Sequence, residues 1–204
     1  MNQDQLKKEQ LKLAKKLLIK DQIEELNLIA GFSQIYHKNK MYSGVVVIDK
    51  NFKIIEEKYA SSTKTIPYIP GFLCFREGPA ILEAFNKLEN KPDLVMIKGH
   101  GIIHQRLGLA SYVGIILDLP VIGIANKLLY GEIKNNKIYI DGKLKGYELK
   151  TKEHGNPIYI SPGNKITVTK SLELVKQFIK SPHKLPEPLF LAQKYIKKVI
   201  RELS

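Results

Sequence analysis

A chain of 204 residues, 44% of them hydrophobic, is long enough to bury one core, so a single domain over residues 1–204 is the expectation. Thirty-three Lys and Arg against 20 Asp and Glu leave a net charge of +13, which favours polyanionic partners because each neutralised phosphate releases counterions. Cys74 is the one cysteine, and no apolar run approaches the roughly 20 residues that span a bilayer, so disulfide-built and membrane-anchored classes are excluded and a cytoplasmic monomer is expected.

From Gln3 to about Gln22, Leu6, Leu11, Leu13, Ala14, Leu17 and Leu18 fall mostly on one helical face with Lys on the other, which predicts a packing helix with a solvated basic side. Between Leu28 and Glu57 the apolar run Val45-Val46-Val47-Ile48, the turn-like Asp49-Lys50-Asn51 and the stretch Phe52 to Ile55 predict two or three paired strands. Pro79 follows Gly78 and opens a helical pattern to Leu88, proline being tolerated in a first turn. Leu94 to Ile97 is a buried strand, Leu107 to Leu117 a helix, and Val121 to Ala125 a second buried strand. Strand, helix, strand with fully apolar strands implies a parallel core covered by helices. Residues 130–160 are polar, Lys-rich and punctuated by Gly, which suggests a hairpin excursion, and two helical patterns at about 170–180 and 187–203 close the chain.

A metal-dependent phosphodiesterase needs converging carboxylates, because hard divalent ions are held beside the scissile phosphate by oxygen ligands. Glu77 is the best candidate on spacing, although a carboxylate near a helix N-terminus would occupy the same position. His100 and His104 offer imidazoles that act as bases or as ligands of softer metals, or that belong to a structural glycine-rich loop. Asp118 ends a helical pattern before Leu119-Pro120 and reads equally as a solvated loop carboxylate.

The run Tyr68-Ile69-Pro70-Gly71-Phe72-Leu73-Cys74-Phe75-Arg76-Glu77 resembles the signature of the endonuclease V family, ribonuclease H-like enzymes that nick DNA or RNA beside a deaminated purine. Ile29-Ala30-Gly31, Gly99-His100-Gly101-Ile102, Leu107 to Ser111, Pro120 to Ala125, Asn156 to Gly163 and Leu185-Pro186-Glu187-Pro188 agree in order and spacing. The resemblance implies an α/β fold with a ribonuclease H-like core, a mixed central sheet flanked by helices, and a role in DNA repair. It also implies that Tyr68, Ile69, Pro70 and Gly71 form a wedge that enters the strand and presents the deaminated base. Gly99, His100 and Gly101, with Lys98 and Lys127, are the other expected nucleic-acid contacts. Without the resemblance, the same tetrapeptide would read as an ordinary β-turn with a core tyrosine.

The chain departs from that family at the positions that carry chemistry. The family's Asp beyond the glycine of its first strand is Ser33 here, its Asp before Gly-His-Gly is Lys98, and its Lys after the Ile-Gly-Val-Ala motif is Asn126, with Lys127 adjacent. Its histidine is matched, from sequence, to Asn164 in the late Ser-Pro-Gly turn. Glu77 is the one acidic position kept. The family uses Mg²⁺; with Ser33 uncharged and Lys98 cationic the expected metal box is disrupted, no metal cofactor is expected, and Lys98 is expected where the ion would sit, paired with Glu77. Three functions stay open: a protein that binds inosine-containing DNA or RNA without cleaving it, a divergent nuclease using Glu77, His100 and His104, and a fold kept for contact with another protein.

Overall fold

The computed structural model of the protein describes residues 2–63 and 65–204. Helix α1 (Gln3–Ala14) begins at a capping box, in which Asn2 accepts from the Gln5 N–H and the Gln5 side chain answers the Asn2 N–H. It ends well short of Gln22, leaving residues 17–27 as an irregular crossing to the first strand.

Among the described residues nine strands form one mixed sheet: β1 (Leu28–His37), β2 (Lys40–Asp49), β3 (Ile54–Ser62), β4 (Leu94–Lys98), β5 (Val121–Ala125), β6 (Glu132–Lys134), β7 (Lys137–Ile140), β8 (Lys143–Leu149) and β9 (Ile158–Asn164). Their order is β3-β2-β1-β4-β5-β9-β8-β7-β6, with β1, β4 and β5 parallel and every other pair antiparallel. Of the two or three paired strands expected between Leu28 and Glu57 there are three, the last running on to Ser62, and Asp49 closes the β2–β3 turn by accepting from the Asn51 and Lys53 N–H groups at 2.8 and 2.9 Å. Residues 130–160 do form hairpins, β6-β7 and β7-β8, but no excursion: through β8 and β9 they extend the same sheet.

The remaining helices are α2 (Leu73–Asn86), α3 (Leu109–Leu117), α4 (Val168–Gln177) and α5 (Glu187–Glu202). Side chains alternate across each strand, so Ala30, Phe32, Val45, Val47, Val95 and Ile97 pack under α2 and α3, while Ile29, Val46, Ile48, Leu94 and Met96 pack under α4 and α5. Gly31 permits the tightest approach: a Cβ there would lie 2.1 Å from the Pro188 carbonyl oxygen, so the first turn of α5 rests directly on β1. A second boundary departs from expectation. Helix α2 starts at Leu73, so Pro79 lies inside it and Glu77 falls in its second turn rather than ahead of it. This arrangement fits the ribonuclease H-like, helix-flanked mixed sheet that the sequence resemblance implies.

Candidate functional site

The turn before α2 follows from two residues. Pro70 fixes φ at the second position, Gly71 takes φ +83° at the third, and the Phe72 N–H donates to the Ile69 carbonyl at 3.1 Å, the pattern of a type II turn. Tyr68 stands just ahead of it, 68% exposed and outside the core. Exposure as expected of a wedge, rather than a sealed core tyrosine, is what the structure gives.

The turn is held from beneath by a residue that sequence reasoning missed. Gln10 of α1 is fully buried, and its amide Nε2 donates to the carbonyls of Gly71 at 2.9 Å and Leu107 at 3.1 Å, with the Cys74 sulfur at 3.4 Å. Its Oε1 accepts from Arg106 Nε at 2.7 Å, and Arg106 also reaches the Gly71 carbonyl and lies over the Phe72 ring. A signal was present: Gln10 falls between Leu6 and Leu13 on the apolar stripe, and a polar residue there must find partners. Farther along, Arg76 donates to the Ile66 carbonyl at 2.8 Å and stacks on Tyr36, fixing the other end of the loop.

At the N-terminal end of α2, which follows this turn, lies a cavity of about 340 Å³ lined by Gln34, Leu73, Glu77, Lys98, Gly99, His100, Ala125, Asn126, Lys127 and Leu129. The C-terminal ends of the parallel strands β4 and β5 and the first turns of α2 meet here. Burial pushes the Glu77 carboxyl up to about 7, against the pull of the Arg76 and Lys98 charges. Lys98 forms no direct ion pair with Glu77, contrary to the expected pairing; its ammonium acts across the cavity. His100 is buried with Nδ1 unpartnered, and burial lowers its pKa against a hydrogen bond with the Lys127 backbone.

His104 is turned to a structural task. Its Nδ1 accepts the Arg106 N–H at 3.0 Å, and burial, then the nearby Arg106 and His100, pull its pKa down to about 4, so the ring is neutral at pH 7. Cys74 is also a packing residue, its thiol pushed up to about 11 by burial. Asp118 occupies the left-handed cap of α3 and pairs with Lys165 at 2.7 Å, a surface contact.

Ser33 sits one residue beyond the last β1–β4 pair, Phe32 with Ile97, and so lies alongside Lys98 on the strand face that meets α5. Asn164 is not brought to this place. It pairs with Val121 at the start of β5, whereas Lys98 pairs with Ile124 near its end, and the intervening rise is about 10 Å. Its side chain donates to the Gly114 carbonyl at 2.9 Å and accepts the Leu18 N–H at 3.0 Å, tying α3 to the segment after α1. The side chain that α5 supplies instead is Gln193, which shares a second cavity with Asn126.

These residues do not fit a divalent metal. Glu77 is the one carboxylate lining the cavity, Lys98 brings an ammonium, and Ser33 offers an uncharged hydroxyl, whereas Mg²⁺ binds through carboxylate and water oxygens. Among the described residues no three His, Cys, Asp or Glu side chains converge so as to hold an ion. What the cavity can do is accept an uncharged base against Leu73, Gly99 and Leu129 and a phosphate near Lys98 and Lys127.

Known proteins agree with this architecture. The sequence profile of the Endonuclease V family matches residues 11–194. An Endonuclease V of Thermosipho melanesiensis is 45% identical over 192 residues, 90% of this chain and 84% of its own. The crystal structure of the Bacillus subtilis Endonuclease V superposes with a TM-score of 0.86 at 29% identity, covering 100% of this chain and 96% of that one. That of the Ciona intestinalis Endonuclease V, in complex with a 24mer DNA containing an inosine followed by a ribo-adenosine, superposes with a TM-score of 0.87 at 21% identity over 98% of both chains. A matching profile over most of the chain, a relative of such identity and a shared fold together place this chain in the endonuclease V family.

Proposed function

We propose that the protein binds nucleic acid at a deaminated base, in the manner of its family, and has lost metal-dependent phosphodiester cleavage. The observation that carries this reading is the pairing of an intact, exposed wedge with a cavity in which Lys98 stands among the donors that would have to hold a metal. An ammonium there repels a divalent cation and attracts a phosphate, so the same substitution removes one activity and favours the other. Ser33 supplies no charge to compensate, and Asn126 and Gln193 supply amides, which neither gain nor lose a proton near neutral pH. Inosine, or hypoxanthine in DNA, is the expected base, because the wedge and the glycine loop are retained.

The test combines binding and cleavage on the same strand. Purified protein is expected to bind an inosine-containing single strand more tightly than its adenosine counterpart, with affinity falling steeply as salt rises. Incubation with Mg²⁺ or Mn²⁺ is expected to leave the strand intact. A metal-dependent product with a defined end would refute the loss of cleavage, and equal, weak affinity for both strands would refute base recognition.

A further inference from the structure

A second cavity of about 330 Å³, lined by Asn126, Lys152, His183, Lys184, Leu185, Phe190 and Gln193, shares Asn126 with the first. Its walls come from three separate parts of the chain: the end of β5, the segment between β8 and β9, and the entry to α5. Thr151 Oγ1 donates to the Lys184 carbonyl at 2.8 Å, so the two lysine-bearing segments are tied to each other. The His183 ring stacks on Phe190 with centroids 3.5 Å apart, and its Nδ1 lies 2.7 Å from a Glu187 carboxylate oxygen.

The charge of this second cavity is one-sided. No carboxylate lines it, since Glu187 is buried and engaged by His183, while Lys152 and Lys184 have no ion-pair partner among the described residues. Asn126 and Gln193 add amide N–H donors. Two free ammonium groups with two amides and no competing acid match an anion whose oxygens accept several hydrogen bonds at once. Because Asn126 lines both cavities, the second is placed to meet the backbone of a strand whose base enters the first.

We infer that Lys152 and Lys184 form a phosphodiester site that grips the backbone next to the recognised nucleotide. This rests on the proposed nucleic-acid reading and extends it to two lysines that the family resemblance does not assign. It also gives the complex an anchor made entirely of side chains. In this arrangement Lys98 and Lys127 attract the phosphate on one side of Asn126, and Lys152 and Lys184 hold the next.

The experiment measures binding of the full chain to an inosine-containing single strand across a salt series, for the wild type, Lys152→Ala/Lys184→Ala, and Lys197→Ala/Lys198→Ala at the exposed end of α5. Thermal melting of each variant checks folding. The first double variant is expected to lower the slope of log affinity against log salt by about 1.4, at about 0.7 per lysine on a single strand, and to weaken binding on the order of tenfold at 0.1 M salt. Replacing single linkages by neutral methylphosphonate should then reveal one linkage near the inosine whose neutralisation weakens the wild type but not this variant. Equal losses in both double variants, or no such linkage, would overturn the site while leaving inosine binding in place. Absence of any strand binding by the wild type would overturn the broader reading as well.

Discussion

The side-chain amide of Gln10, in the first helix, lies 2.9 Å from the carbonyl oxygen of Gly71, in the turn that presents Tyr68. Sixty-one positions of sequence separate them, yet the contact ties the turn that follows Tyr68 to α1. Replacing Gln10 by Leu keeps the apolar stripe of α1 but strips the Leu107 carbonyl and Arg106 Nε of their Gln10 partner, and leaves the Gly71 carbonyl with Arg106 alone. Each buried group so orphaned costs roughly 1–3 kcal/mol. Urea unfolding of Gln10→Leu is expected to report a loss of at least that size, and affinity for inosine strands should fall beyond what the unfolded fraction explains. A variant as stable as the wild type would show that the hub is dispensable.

Tyr68 answers the opposite way. Its ring is mostly in solvent, so Tyr68→Ala should change stability by no more than about 0.5 kcal/mol, the usual effect of a surface substitution. Affinity for nucleic acid should drop by roughly 1–3 kcal/mol, the worth of a lost base–aromatic stack. Melting temperature and affinity measured on one preparation separate the two contributions. Unchanged affinity would remove the wedge from the account of binding.

Glu77 gives the stability curve a defined pH dependence. Its carboxyl is raised from 4.5 to about 7 on folding, so the folded state prefers the protonated form. The contribution is therefore fully present below pH 4.5 and is lost as pH rises through about 7. The difference between wild type and Glu77→Gln should shift across that window by on the order of 3 kcal/mol, with the glutamine variant gaining in relative stability toward pH 8. Parallel stability curves for the two proteins would mean that folding leaves the Glu77 carboxyl at its ordinary pKa.

Rebuilding a metal site should need two changes. Lys98→Asp alone leaves two carboxylates at most, whereas Ser33→Asp with Lys98→Asp restores three around the end of β4. The double variant is expected to bind Mn²⁺ by calorimetry and to gain thermal stability in its presence, as any ligand of the folded state does. Each single variant should bind far more weakly. Robust metal-dependent cleavage by Lys98→Asp alone would mean that Ser33 matters less than its charge suggests.

Much of this architecture could be read from residue patterns because the chemistry is local. Val95 and Ile97 face one helical layer and Leu94 and Met96 the other, so an unbroken apolar run correctly announced a buried strand. The Pro-Gly pair likewise announced its turn. Contacts made by chain reversal were not legible. Asn164 follows Pro162-Gly163, a pair that read as a turn but lies within β9, and the antiparallel pairing of β9 with β5 carries it to the opposite end of β5. Gln193 lies on a helix whose docking on β1 is set by Gly31, so nothing near it in sequence marks it as a neighbour of Asn126. Pro79 misled for a different reason: a proline that often begins a helix stands here in the body of α2.

Lys98 has a further consequence for how a complex of this protein would be controlled. A metal ion that bridges protein and phosphate comes and goes with its concentration, and a chelator dissolves the bridge. The ammonium of Lys98 is joined to the chain by covalent bonds, so its local concentration is fixed at synthesis and no change in divalent-ion supply alters it. A strand held this way stays held through swings of magnesium that would load or empty a relative with three carboxylates. Its release is left to competing polyanions, to ionic strength, or to another protein that takes the strand away.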